Sequence, residues 1–234
     1  VVHDPIKMEY RLSVHNSGNP PYPTDDNTGG WGGDHGEPST VCAFEEGLIL
    51  AWDTCEYGWG LIRVDLDGQK QWGSKRTARF LATDGKRVFA AGGHGWSNAG
   101  GVSVIDIADS RPLNFQPGME ALAPPEGEGK AAVTGLACDG KRIYVSYGGR
   151  NAIGVYDLKG NLTAQWTVPA PGRLDVGPDG ALVAFSGHQV VSVKNGTVSE
   201  LVTEELIEPR GIAVSDAGEL YVALAGERQQ VQVF

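Results

Sequence analysis

The sequence is poor in several things, and each shortage closes off a class of function. Cysteine occurs three times, at Cys42, Cys55 and Cys138, an odd set that fixes no redox compartment. No apolar run approaches the roughly 18 residues of a membrane span, and no intact signal peptide is present. Basic residues are outnumbered, 19 Lys and Arg against 29 Asp and Glu, for a net charge of −10. Phosphate backbones require clustered cations, so nucleic acid is not an expected partner. Gly-x-x-x-x-Gly-Lys-Ser/Thr, Gly-x-Ser-x-Gly, Cys-x-x-Cys, His-x-x-x-His and the EF-hand loop are all missing. Phosphate-cradling hydrolysis, the nucleophile elbow and the common metal spacings therefore have no foothold.

Glycine is abundant instead, 34 residues without a Gly-X-Y period, which fits many turns. Five glycines close a tight turn and lead directly into an apolar strand: Gly47, Gly85, Gly140, Gly180 and Gly218, spaced 38, 55, 40 and 38 residues apart. Hairpin turns of two or three residues need a positive φ, which glycine adopts without steric cost. A second marker follows each of the first three, a strand ending in Asp: Ile62–Asp65, Val104–Asp106 and Val155–Asp157. The fourth copy has Val191-Ser-Val-Lys194 there. Fourth strands are expected at Lys70–Trp72, Arg111–Phe115, Leu162–Val168 and Val198–Val202.

A unit of about 40 residues with four strands, unable to bury both faces alone, is a β-propeller blade. The stretch Pro209-Arg-Gly-Ile-Ala-Val, followed after five intervening residues by Leu220-Tyr-Val-Ala223, resembles an NHL-type blade. The five units together resemble the NHL and YncE-like propeller superfamily over residues 38–234. That resemblance implies an all-β propeller of about five four-stranded blades, near 39–73, 78–115, 133–168, 172–202 and 208–234, in a single domain. Trp52-Asp53 ends a second strand and is not a WD40 mark. The last blade lacks a fourth strand, and Ile6–Leu12 is an orphan strand expected to fill that position and remove an exposed edge. The alternative is a piece of a larger ring of six to eight blades, since the chain starts without Met and stops on Phe234. An extracellular or periplasmic setting is favoured. The turn at Glu45–Gly47 places Cys42 opposite about residue 50, out of register with Cys55, so a disulfide between them is not expected. Cys138 is expected as a small buried apolar residue.

Blade topology gathers the irregular segments at the second-to-third strand ends, where any functional chemistry is expected. The long loop 13–38 carries Trp31, Asp34 and His35; residues 53–59 carry Asp53, Cys55, Glu56, Tyr57 and Trp59; residues 92–98 carry His94 and Trp96. Arg150, His188 and Arg228 fall in the corresponding connections, and Arg210 just before a first strand. Residues 116–133, rich in Pro, Gly and Glu, read as a mobile insertion. Three chemistries follow. Trp31, Tyr57, Trp59, Trp96 and Tyr147 gather on this face, and exposed rings there suit a carbohydrate or peptide. His35, His94 and His188 can supply imidazoles to a metal ion if they converge. Asp34, Asp53, Glu56 and Glu227 can pair as two-carboxylate glycosidases require, and Arg150, Arg210 and Arg228 can clamp an anion. Each has a plainer alternative: loop packing for the rings, backbone capping for the histidines, a strand-end ion pair for Arg210. Streptogramin lyase-like enzymes share the general propeller resemblance and use a histidine on these loops. The first expectation is a non-catalytic module recognising a protein or carbohydrate; the second is a lyase or glycoside hydrolase at the channel mouth, or a metal-binding propeller.

Overall fold

The structure, a computed structural model, describes residues 39–51, 60–92, 101–202, 205–225 and 230–234. It is an all-β propeller fold built of five antiparallel sheets, each a meander of strands paired in sequence order. The first blade comprises β1 (Thr40–Phe44), β2 (Gly47–Ala51), β3 (Leu61–Asp65) and β4 (Lys70–Ser74). The second comprises β5 (Ala78–Thr83), β6 (Arg87–Gly92), β7 (Val102–Asp106) and β8 (Pro112–Leu113). The third comprises β9 (Gly135–Cys138), β10 (Arg142–Tyr147), β11 (Ala152–Asp157) and β12 (Leu162–Thr167). The fourth comprises β13 (Pro171–Val176), β14 (Leu182–Ser186), β15 (Gln189–Lys194) and β16 (Thr197–Val202). The fifth shows β17 (Pro209–Val214), β18 (Leu220–Leu224) and β19 (Gln230–Val233) among the described residues. The orphan strand Ile6–Leu12 lies outside them.

All five marker glycines adopt positive φ, between 75° and 155°. The outer strand of the second blade departs from expectation. Instead of a continuous Arg111–Phe115 strand, β8 is two residues long. A tight turn follows, with the Phe115 and Met119 main chains bonded at 2.9 Å. The edge then resumes at Ala121, bridged to Ser103, and Leu122, whose N–H donates to Val102 O at 3.1 Å. Pro112 removes one ladder donor and Pro117 prevents a regular continuation.

The described residues form two compact units, one up to Leu122 and one from Ala123 onward. In the first, the core lies between two blades. Ile49, Ala51 and Leu61 meet Ala78, Leu81, Val88, Ala90 and Ile105. The seam is also hydrogen-bonded: Ser39 Oγ donates to Ala78 O at 2.7 Å, and Trp72 Nε1 and Arg63 Nη1 both donate to Ile107 O, at 2.8 and 3.1 Å.

In the second unit the fourth blade works as a two-sided layer. Leu182 and Ala184 face a cluster with Tyr144, Ile153 and Val155 of the third blade. Their neighbours Val183 and Phe185 face a cluster with Leu220, Val222 and Leu224 of the fifth. Side chains alternate along a strand, so an unbroken apolar run such as Leu-Val-Ala-Phe serves two cores at once.

Candidate functional site

The two ends of each blade are built differently, and aspartate makes one of them. Where β3 turns into β4, Asp65 Oδ1 accepts from Asp67 N at 3.0 Å and Gln69 N at 2.8 Å, and Oδ2 from Gln71 Nε2 at 2.7 Å. Asp157 repeats the pattern with Lys159 N, Asn161 N and Asn161 Nδ2. Asp106 accepts from Ala108 N and from Arg111. A carboxylate has about four acceptor sites, so one residue satisfies most of a turn's free N–H groups.

The first-to-second strand turns use the same device at Asp-Gly-Lys-Arg, which occurs at 84–87 and again at 139–142. Asp84 and Asp139 each accept two backbone N–H groups and the following arginine's Nε. Each arginine then lies over the aromatic ring two residues on, Arg87 over Phe89 and Arg142 over Tyr144, both at 5.4 Å. Tyr144 adds its hydroxyl to Asp139 at 2.9 Å.

These bonds set the titration of the turns. Asp106 is held below the usual carboxylate range by the Ala108 N–H and the Arg111 guanidinium. At Asp139 and Asp157 burial pushes upward, but the donors around each carboxylate outweigh it and the net direction is down. These five aspartates serve their own turns, and net charge alone does not mark a cationic partner.

The second-to-third strand ends hold the candidates. Trp31, Asp34, His35, Asp53, Cys55, Glu56, Tyr57, Trp59, His94, Trp96, Glu227 and Arg228 lie outside the described residues, and with them the expected convergence of His35 and His94 on His188. The three candidates that are described make local contacts. Arg210 pairs with Glu208 at 3.5 Å, both side chains well exposed. His188 is exposed, its Nδ1 3.1 Å from Leu206 O, while Leu206 N donates back to His188 O at 2.9 Å. This is the backbone-capping arrangement. Among the described residues no three His, Cys, Asp or Glu side chains come together as metal ligands.

Arg150 is the candidate with the richest surroundings. It ends a one-turn 3-10 helix, Gly148–Arg150, that joins β10 to β11. Its Nε donates to Gly129 O at 3.3 Å and its Nη1 to Pro125 O. Sequence reading placed the insertion here but not its attachment. Residues 123–130 are tied down, with Tyr156 Oη also donating to Ala123 O at 2.8 Å. Tyr147, expected among the loop-face rings, is instead fully buried with Tyr156, their hydroxyls 3.2 Å apart, and burial raises both phenols above their ordinary range. Cys42 faces Ile49 across its hairpin, and burial pushes its thiol up to about 12, an unreactive state. Cys138 is half-buried, its sulfur accepting from Gly140 N.

No protein family matches this chain, and no curated protein does. Solved structures do. A streptogramin B lyase superposes with a TM-score of 0.60 at 13% identity, over 86% of this chain and 69% of the other. The WD40 β-propeller domain of Doa1 gives 0.61 at 11% identity, over 85% and 64%. Hydrazine synthase of Kuenenia stuttgartiensis gives 0.58 at 16% identity, over 84% and 64%. The chain thus spans about two thirds of these proteins' length. One architecture serves a lyase, a WD40 domain and a hydrazine synthase, so at such identities the likeness establishes the β-propeller fold and leaves activity to the residues.

Proposed function

We propose that this protein is a non-catalytic, NHL-like propeller module that binds a protein or carbohydrate through the second-to-third strand ends of its blades. The observation that carries this reading is the contrast between blade ends. One end is closed by aspartates that saturate their own turns. The other receives connections carrying Tyr57, Trp59, His94 and Trp96. Large rings on connections between rigid strands offer contact area at low entropic cost, the composition of binding surfaces.

The test is a glycan and peptide array probed with the purified protein and with a Trp59→Ala/Trp96→Ala variant. A ligand whose binding drops about tenfold or more in the variant is expected, the loss typical of a central aromatic anchor. Ligand turnover abolished by His94→Ala or His188→Ala would instead establish a lyase or glycoside hydrolase. Stoichiometric metal in the native protein, lost in those variants, would move the assignment to a metal-binding propeller.

A further inference from the structure

Residues 123–130, Ala-Pro-Pro-Glu-Gly-Glu-Gly-Lys, form no strand or helix, yet the third blade holds them through their carbonyls. Tyr156 Oη donates to Ala123 O at 2.8 Å, Arg150 Nη1 to Pro125 O, Gln165 Nε2 to Glu126 O at 3.4 Å, and Arg150 Nε to Gly129 O at 3.3 Å. The segment's own polar residues Glu126, Glu128 and Lys130 are exposed. The blade therefore reads main chain, and it asks nothing of the segment's N–H groups, which suits prolines that have none.

The seat is close. At Gly129, with φ +92°, a Cβ would stand 2.0 Å from Gly149 O, and at Gly149 it would stand 2.9 Å from Lys130 O. Two glycines let the backbones touch. Nothing in this set of contacts depends on the segment's belonging to the same chain. A guanidinium, a phenol and an amide at fixed spacing accept any segment that presents carbonyls in that order.

We propose that the Gly148–Arg150 turn, Tyr156 and Gln165 form a main-chain-reading site for a proline- and glycine-containing peptide, and that residues 123–130 are its built-in occupant, displaced when a protein partner binds. This rests on the binding-module reading and narrows it to a peptide ligand on the third blade. Because the occupant is tethered, a free competitor meets it at high effective concentration, so the site stays closed to weak ligands.

The experiment unseats the occupant in the full chain with Gly129→Val and adds a labelled synthetic peptide of residues 121–131, followed by fluorescence anisotropy. The peptide is expected to bind the variant at least about tenfold more tightly than the native protein, and to lose binding when Arg150→Ala is added. A folded Gly129→Val protein that ignores the peptide, or binds it equally without Arg150, overturns the proposal. If Gly129→Val does not fold, trypsin cleavage after Lys130 decides. Arg150→Ala is expected to speed it about tenfold, the loss of a charge-assisted bond, and an unchanged rate rejects the tether. The two readings fail separately. An array ligand that binds native and Gly129→Val protein alike, without competition by the peptide, removes this site and leaves the binding module. Peptide binding without any array ligand keeps this site and removes the aromatic connections as the binding surface.

Discussion

Asp139 shows how much a single side chain does at the closed ends of the blades. Its carboxylate accepts from Lys141 N, Arg142 N, Arg142 Nε and Tyr144 Oη, and is nearly buried. Replacing it with Ala leaves a turn, a guanidinium and a buried hydroxyl short of an acceptor. Asp139→Ala is expected to cost about 2–4 kcal/mol, read as a fall in the urea midpoint. Its folded carboxyl titrates below the ordinary value, so its stabilisation is complete above about pH 4 and is lost as pH falls through the lower folded value. The gap between native and Asp139→Asn protein should accordingly narrow in acid. A gap constant from neutral pH to pH 3 would contradict this. Tyr156→Phe tests the other kind of contact. It deprives Ala123 O of its donor and Tyr147 of its partner, an expected loss of about 1–2 kcal/mol with the fold intact by circular dichroism.

Residue-scale legibility divides along the same line. Asp65, Asp106 and Asp157 stood out as repeated strand-end marks, because wiring a turn locally demands the same residue at the same place in each copy. Tyr156 and Gln165 did not, because their acceptors are main-chain carbonyls. Every residue has a carbonyl, so an attachment made through it leaves no trace in the pattern of side chains.

Glycine was the most informative signal among the hairpins, but equal marks turn out to have unequal reasons. Gly85 sits at φ +85° with open space where a Cβ would project. Gly47 begins β2 at φ +155°, where a Cβ would lie 2.0 Å from Val64 O on β3. Gly85→Ala should cost only the left-handed backbone penalty, about 1–2 kcal/mol. Gly47→Ala forces β2 and β3 apart and should cost about 3 kcal/mol or more. Urea midpoints of the two variants check the order; a reversed order would mean that conformational freedom alone, and not close strand approach, selects glycine at position 47. The outer strand of the second blade was misjudged for a related reason. Arg111–Phe115 has strand-like composition, but Pro112 and Pro117 withhold donors, and pairing passes to Ala121 and Leu122 after a turn.

Within each compact unit, blades are stabilised by their neighbours, and the apolar runs record this. Leu182-Val-Ala-Phe185 has no amphipathic alternation because both its faces are buried, one with the third blade and one with the fifth. That is why a repeat of continuous apolar runs separated by Asp and Gly turns is readable as a propeller, while the second-to-third strand connections, whose sequences share no repeated mark, are readable only as composition. Polar links cross the same seams. Thr134 Oγ1 and Ser146 Oγ donate to Pro171 O and Gly172 O, both at 2.6 Å, between the third and fourth blades. Between the fourth and fifth, Asp175 Oδ2 accepts from Val214 N at 2.7 Å, while Oδ1 accepts from Val176 N at 2.8 Å. Asp175 differs from the turn aspartates in sign: burial outweighs its two N–H donors and raises its carboxyl above the ordinary value. A group raised on folding favours the folded state most below its unfolded value near pH 4, and that contribution disappears as pH rises through the folded value. Asp175→Asn keeps one acceptor at the seam and cannot ionise. The stability of the native protein relative to Asp175→Asn should thus decline from pH 4 toward neutrality, opposite to the trend for Asp139→Asn. Urea midpoints of both variants across pH 3–7 distinguish the cases, and parallel curves would show that the blade seam does not sense the charge on Asp175.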